Sequence, residues 1–239
     1  MSSSSSRSPL RIASYNIRKA IGTDRRRNPE RVLAVLEEID ADIIALQEAD
    51  RRFGTREAAL PPLLIERRSD YQPAPLNLQN DSIGWHGNAI FVRKSATITM
   101  SDIIHLPCLE PRGAVMAEVT LAGGAKLRLL GMHLDLSGLW RRKQANAVLQ
   151  LVKDAPDMPT LLAGDLNEWR RDRGCLDDFG RHFDFAPCGR SFPSRYPLGQ
   201  LDQIMMDDRF ELLNCGVHDS PLARRASDHL PIWADLRLK

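Results

Sequence analysis

Two strand–helix–strand signatures, one in each half of the chain, constrain its fold more than any other feature. Residues 10–16 alternate loosely and end in Tyr15-Asn16. Asn28-Pro29 then supplies a helix N-cap followed by proline at the first helical position, and Val32, Val35, Leu36 and Ile39 recur at helical spacing. The run Ile43-Ile44-Ala45-Leu46 is apolar on both faces, as in a strand buried between two layers, and leads into Gln47-Glu48. The second half repeats the pattern: residues 127–132 form an apolar strand candidate ending at His133, Ala145, Val148, Leu149 and Val152 fall at helical spacing, and residues 160–163 form a short strand leading to Asp165. Asn16 and Glu48 are 32 residues apart, as are His133 and Asp165. The two units imply internal pseudo-symmetry, with a polar residue at the end of each strand.

Further strand candidates lie at 89–92, 114–119, 201–206 and 232–236, so the chain reads as two packed sheets flanked by a few helices. With 239 residues, 43% of them hydrophobic, it can bury a substantial core. No Pro/Gly/Ser-rich linker divides the interior, and a single domain over residues 10–239 is expected, preceded by a disordered tail at 1–9 that contains the serine run Ser2 to Ser6. Met1 is followed by serines and Arg7 rather than by an apolar segment, and no apolar run approaches the roughly 20 residues of a membrane span. Cys108, Cys175, Cys188 and Cys215 are scattered without a C-x-x-C pair, which fits neither a zinc site nor a disulfide framework and makes a cytoplasmic location the expectation. A net charge of +2 selects no partner.

Strand ends are where an α/β protein assembles a site, because the strands are rigid and their ends open to solvent. Glu48, Asp165 and Asp228 are carboxylates expected there, and Asn16 and Asn167 add amides able to orient a phosphate or to ligate a hard cation. An all-oxygen donor set selects Mg²⁺ or Mn²⁺ over zinc. Asp202 lies just inside the apolar strand candidate that starts at Leu201, where an unpaired charge is costly. If it receives an N–H of His229, the ring's tautomer is fixed and its protonated form stabilised, which suits it to face a phosphate. His133 is the other histidine embedded in these segments; His86, His105, His182 and His218 lack such a context. Taken singly, each residue has an ordinary alternative: Asn16 a turn residue, Glu48 a solvated acid, His133 a core histidine.

Ser14-Tyr15-Asn16, Leu46-Gln47-Glu48, Met132-His133-Leu134, Gly164-Asp165-Leu166-Asn167, Leu201-Asp202 and Ser227-Asp228-His229-Leu230-Pro231 occur in this order over nearly the whole chain. In that order the set resembles the endonuclease/exonuclease/phosphatase superfamily, the metal-dependent group that includes pancreatic-type deoxyribonuclease, apurinic endonucleases, neutral sphingomyelinases and inositol polyphosphate 5-phosphatases. The resemblance implies a four-layer α/β/β/α sandwich with two mixed sheets. It also implies Mg²⁺ held principally by Glu48 with Asn16 and Asp228 nearby, Asp165 orienting or deprotonating the attacking water, Asn167 binding phosphate, and Asp202 paired with His229 over the scissile group. His133 matches the histidine of the deoxyribonuclease-like and sphingomyelinase-like members, where the apurinic endonucleases have tyrosine. Glu110-Pro111-Arg112-Gly113 resembles a family segment whose arginine contacts substrate phosphate, which brings in Arg112. Asn88, in Gly87-Asn88-Ala89-Ile90, recurs in bacterial members and is a second substrate-binding candidate.

Arginine runs border these motifs at Arg25–Arg27, Arg51-Arg52, Arg141-Arg142, Arg170-Arg171 and Arg224-Arg225, interspersed with Asp24, Asp50, Glu168 and Asp172. A cationic rim would attract nucleic acid, an anionic lipid headgroup or a phosphorylated small molecule; equally, the acids can pair with the arginines. Only 6% of residues are aromatic, and no basic tail offers a grip on a duplex. The reading is a phosphodiesterase acting on a phosphate-ester substrate, with a DNA or RNA nuclease as the alternative. A phospholipid or inositol phosphate phosphatase, or a scaffold without activity, follows behind. No oligomer is implied. Neither a Gly-x-Ser-x-Gly elbow nor a phosphate-binding Gly-x-x-x-x-Gly-Lys loop is present, and the segments do not fit a calcineurin-like dinuclear phosphatase.

Overall fold

The first strand–helix–strand unit forms as its local signals dictate. Asn28 caps α1 (Pro29–Ile39) by accepting the Arg31 backbone N–H at 2.9 Å, and Pro29 opens the helix. Val32, Val35, Leu36 and Ile39 are all buried against β1 (Leu10–Asn16) and β2 (Ile43–Gln47), which pair in parallel. In the second unit β7 (Lys126–His133) and β8 (Thr160–Asp165) also pair in parallel around α3 (Gly138–Asp154). Ala145 and Val148 of α3 are buried, whereas Leu149 and Val152 pack at its margin and stay partly exposed. The computed structural model describes residues 9–50, 57–76, 82–170 and 173–239. The serine run, Arg51-Arg52, Arg171 and Asp172 therefore lie outside the described residues.

The remaining strands are β3 (Tyr71–Pro73), β4 (Ala89–Arg93), β5 (Thr97–Ile104), β6 (Gly113–Thr120), β9 (Asp184–Phe185), β10 (Asp202–Met206), β11 (Phe210–Val217) and β12 (Ile232–Leu238). Short helices α2 (Pro62–Arg68), α4 (Cys175–Gly180) and α5 (Pro221–Ala226) complete the set. One six-stranded sheet has the order β11-β12-β1-β2-β4-β3, the other β5-β6-β7-β8-β10-β9. Each contains one parallel pair at its centre, flanked on both sides by antiparallel partners, so the two sheets share one order of strand directions. That shared topology is the pseudo-two-fold expected from sequence.

Four layers follow from three apolar clusters. Ile12, Ile43 and Val92 of the first sheet meet Val115, Leu129 and Ile204 of the second in the central one. The outer face of the first sheet is covered by α1, α2 and α5, and that of the second by α3 and α4. Because side chains alternate along a strand and both faces of both sheets are covered, β2 and β8 are buried at every position. No helix among the described residues is long and apolar enough to cross a membrane.

Two details depart from the sequence reading. Leu201 lies outside the strand, which begins at Asp202. The equal 32-residue spacings also conceal a slip of one position: Asn16 pairs with Gln47, whereas His133 pairs with Asp165. Glu48 thus lies one residue beyond the ladder, with φ 53°, in a left-handed conformation that turns the chain out of the sheet.

Candidate active site

The parallel strands of both sheets end on one side of the molecule, and the proposed residues gather there around Asp165. Gly164, just before it, lies where a Cβ would come 1.9 Å from the Met132 carbonyl oxygen, so only glycine lets β8 lie this close to β7. Asp165 is flanked in register by His133 on β7 and by Asp202 on β10. The two carboxylates, 2% and 1% exposed, are therefore cross-strand neighbours, an arrangement that is unfavourable without positive charge between them.

His229 supplies that charge from the loop before β12. Its Nδ1 is 2.9 Å from Asp202 Oδ2, and its Nε2 is 3.8 Å from Asp165 Oδ2. Ser191 Oγ also donates to Asp202 Oδ2, and the Phe192 ring packs on the imidazole with centroids 4.7 Å apart. Burial alone would lower the imidazole pKa; Asp202 above all, then Asp165 and Asp228, raise it to about 10. Burial pushes the Asp165 carboxyl up to about 6, with His229 opposing that rise and Asp202 adding to it.

Asp165 is held at both oxygens. Oδ1 accepts the Asn167 backbone N–H at 3.0 Å, and Oδ2 accepts Asn16 Nδ2 at 3.0 Å, with His133 Nε2 at 3.4 Å. Asn167 has φ 51°, a conformation asparagine tolerates better than most residues, and one of its amide protons goes to the Leu134 carbonyl at 2.9 Å. Arg112, 4% exposed, contacts His133 Nε2 through Nη1 and lies 3.4 Å from Glu110 through Nη2. Asn88 is buried and donates to the Gly113 and Trp85 carbonyls at 3.0 and 3.3 Å, tying the start of β4 in one sheet to the start of β6 in the other. Its Oδ1 has no hydrogen-bond partner among the described residues.

Glu48 and Asp228 are both half-buried, and adjacent residues of one turn reach them: Lys19 Nζ lies 2.9 Å from Glu48 Oε2, and Arg18 Nε 3.2 Å from Asp228 Oδ2. Arg18, Lys19 and Ala20 form a left-handed turn, with φ 46°, 56° and 58°. The turn is tied to β2 by Lys19 N–H donating to the Glu48 carbonyl at 3.0 Å. Ser227 Oγ donates to the Asn16 carbonyl at 2.7 Å and fixes the Asp228 segment to the end of β1. Two carboxylates and the Asn16 amide, all oxygen donors in a region that demands positive charge, fit a hard divalent cation. Asp165, Asp202 and His229 also bring donor atoms within 4.8 Å of one another. Their hydrogen bonds to each other, to Ser191 and to the two asparagines make this cluster a proton-handling network more than an open cation site.

Arg18, Lys19, Ser191 and Phe192 escape the sequence reading. Arg18-Lys19 immediately after Asn16 was a usable signal; Ser191 and Phe192 carry none, since only folding brings their loop to Asp202. The arginine runs prove largely neutralised: Arg141 lies on Glu168, Arg142 on Asp178, Arg224 on Asp219 and Arg225 on Asp24. Asp24 takes Arg31 as well.

Comparison with known proteins shows the family and the fold. The pattern that defines the Endonuclease/Exonuclease/phosphatase family matches residues 13–229. The uncharacterized protein YbhP of Escherichia coli K12 is 27% identical over 254 aligned positions, covering 96% of each chain. Among solved structures, a mannosyl-6-phosphatase from Bacteroides thetaiotaomicron superposes with TM-score 0.76 at 20% identity, over 96% of this chain and 100% of that one. D. rerio TDP2 complexed with a single-strand DNA product superposes with TM-score 0.72 at 22% identity, over 96% and 99%. At these identities the structural likeness is one of fold.

Proposed function

The chain belongs to the endonuclease/exonuclease/phosphatase family, whose members hydrolyse phosphate esters, and from that premise we propose that it is a divalent-metal-dependent phosphodiesterase with residues 10–239 as its catalytic domain. The observation that carries the reading is the setting of Asp165, a buried carboxylate oriented at both oxygens, with two imidazoles beside it and the Glu48 and Asp228 carboxylates at the same strand ends.

Glu48, Asn16 and Asp228 would hold the ion, Mg²⁺ or Mn²⁺ by their oxygen donors, and when bound it neutralises charge on the phosphoryl group. Asp165 in its ionised form takes a proton from the water whose oxygen bonds to phosphorus. Asn16 Nδ2 and the Asn167 N–H hold the carboxylate for that transfer. As the bond from phosphorus to the leaving oxygen breaks, that oxygen takes a proton from solvent water and departs as an alcohol, while the proton held by Asp165 is released to solvent. His229, kept as imidazolium by Asp202, donates a hydrogen bond to the phosphoryl oxygens. His133 and Arg112 form the opposite wall, and the free amide proton of Asn167 reaches toward the phosphate. Arg112 is countered by Glu110, which leaves it less charge to offer the doubly charged phosphate of a monoester than an unpaired arginine would.

The test is Mg²⁺-dependent turnover of bis-p-nitrophenyl phosphate, p-nitrophenyl phosphate and supercoiled plasmid, with Asp165→Asn and His229→Ala alongside. The expected result is diester turnover lowered about 10²- to 10⁴-fold by either substitution. Preference for the monoester overturns the diesterase assignment, and plasmid nicking abolished by both substitutions makes the protein a nuclease.

A further inference from the structure

Nine large apolar side chains are conspicuously exposed among the described residues, and six of them, Leu109, Leu136, Leu139, Trp169, Tyr196 and Leu198, are each 61% to 79% exposed and follow or join strands of the second sheet. Leu109 lies between β5 and β6, Leu136 after β7 with Leu139 in the first turn of α3, Trp169 after β8, and Tyr196 and Leu198 before β10. They are fastened into one border. Asp135 Oδ2 accepts the Leu109 N–H at 3.2 Å, while its Oδ1 accepts the Ser137 N–H at 2.9 Å, which pins the first loop to the segment carrying Leu136 and Leu139. Leu136 and Trp169 face each other across an open cleft of about 490 Å³ that also exposes Asn167. Trp169 meets Phe192 edge to face at 6.1 Å, and on its other side shares a hollow with Leu198, two positions from Tyr196. The apolar side chains thus border the cleft that exposes Asn167 on the Leu136 and Trp169 sides and continue from Trp169 to Leu198.

The cleft carries more arginine than acid. Arg170 and Arg173 line the same cleft, are exposed, and have no carboxylate partner among the described residues. The acids close by are already engaged, Glu168 by Arg141 and Asp178 by Arg142. Leucines interleaved with tryptophan, tyrosine and uncompensated arginine have the composition that settles at the boundary between acyl chains and anionic headgroups. A nucleic acid fits this border less well, because leucine neither stacks on bases nor bonds to their edges and two arginines do not track a backbone.

We propose that this border docks the protein on an anionic phospholipid bilayer, so that the adjoining site receives headgroup phosphodiesters from that surface. The docking stands by itself; the substrate class rests on the phosphodiesterase reading above. Hydrolysis there adds water across one P–O bond: the water oxygen bonds to phosphorus as the bond to the lipid or headgroup oxygen breaks, Asp165 takes a proton of that water and releases it to solvent, and the departing oxygen takes a proton from solvent to leave as an alcohol.

The test separates the two parts. Co-sedimentation of the intact protein with phosphatidylcholine vesicles, and with vesicles in which phosphatidylglycerol replaces part of it, is measured in chelator so that turnover plays no role. Binding to the anionic vesicles is expected, with a blue shift of tryptophan emission. Leu136→Ser combined with Leu139→Ser should weaken it about tenfold or more. Arg170→Ala combined with Arg173→Ala should remove the preference for phosphatidylglycerol, a change on the order of tenfold. All four positions are exposed, and an unchanged thermal melt shows that the variants fold. No vesicle binding, binding indifferent to these substitutions, or salt-sensitive binding to a single-stranded oligonucleotide in its place overturns the docking. Vesicle binding accompanied by turnover of bis-p-nitrophenyl phosphate, but without release of headgroup phosphate in Mg²⁺, overturns the substrate class. Vesicle binding without turnover of any diester supports the docking and counts against the phosphodiesterase reading alone.

Discussion

Asp165 and His229 carry opposite protonation demands, and burial together with their neighbours sets both. The Asp165 carboxyl, raised to about 6 chiefly by burial, becomes a base only above that pH. The His229 imidazole, raised to about 10 against the effect of burial by Asp202, stays protonated until the solution is strongly alkaline. Diester turnover should therefore rise through about pH 6, by about tenfold per unit on the acid limb, and fall only near pH 10. Asp202→Asn removes the carboxylate that does most to hold the proton, leaving burial to lower the imidazole pKa. The alkaline limb of kcat/KM should then move to lower pH, and the acid limb should lose only the smaller contribution that Asp202 makes to raising the Asp165 carboxyl, whose main cause is burial. A limb that does not move would detach His229 protonation from Asp202 and from the reaction. This pairing is half legible from sequence: a carboxylate opening an apolar strand needs a partner, but Ser191 as its second donor follows only from the loop's path.

Between strands, the contact that aims Asp165 is the approach of β8 to β7 at Gly164. A methyl group there would lie 1.9 Å from the Met132 carbonyl oxygen, one pair from the end of a parallel ladder that cannot give way without moving the strand end that carries Asp165. Gly164→Ala should cost about 1–3 kcal/mol or more in denaturant unfolding and should lower turnover by displacing the neighbouring carboxylate. Gly123→Ala, where nothing lies within 4 Å, is the matched control and should be close to neutral. Helix α1 needed no such context to be read: Asn28, Pro29 and the stripe from Val32 to Ile39 contain its start, its face and its length. The one-position slip that sets Glu48 beyond its ladder could not be read in this way, because strand register belongs to the pairing and not to either strand alone.

If Glu48, Asn16 and Asp228 hold the ion as proposed, the packed sandwich couples its fold to ion binding, since these residues lie on the ends of the first sheet and on the segment tied to it. Mg²⁺ at a hundredfold excess over its Kd should stabilise the native state by about 2.7 kcal/mol. For a chain of this length that is a Tm rise of roughly 5–10 °C. Glu48→Gln should abolish the rise, read by calorimetry without reference to activity. A full shift in that variant would move the ion to the Asp165–Asp202–His229 cluster instead. Lys19 and Arg18 pair with the same two carboxylates from a left-handed turn, so an ion bound there would have to displace their charges.

Periodicity, capping and motif order are properties of a few neighbouring residues, and these were enough to read the paired strand–helix–strand units, the two-sheet architecture and most of the polar residues at the strand ends. The placing of Asp202 opposite Asp165, the turn that lays Arg18 and Lys19 on Asp228 and Glu48, and the gathering of six exposed apolar side chains into one border involve residues up to 210 positions apart. Contacts of that kind depend on register and on where each loop closes over the packed sheets, which local sequence leaves open and three-dimensional packing settles.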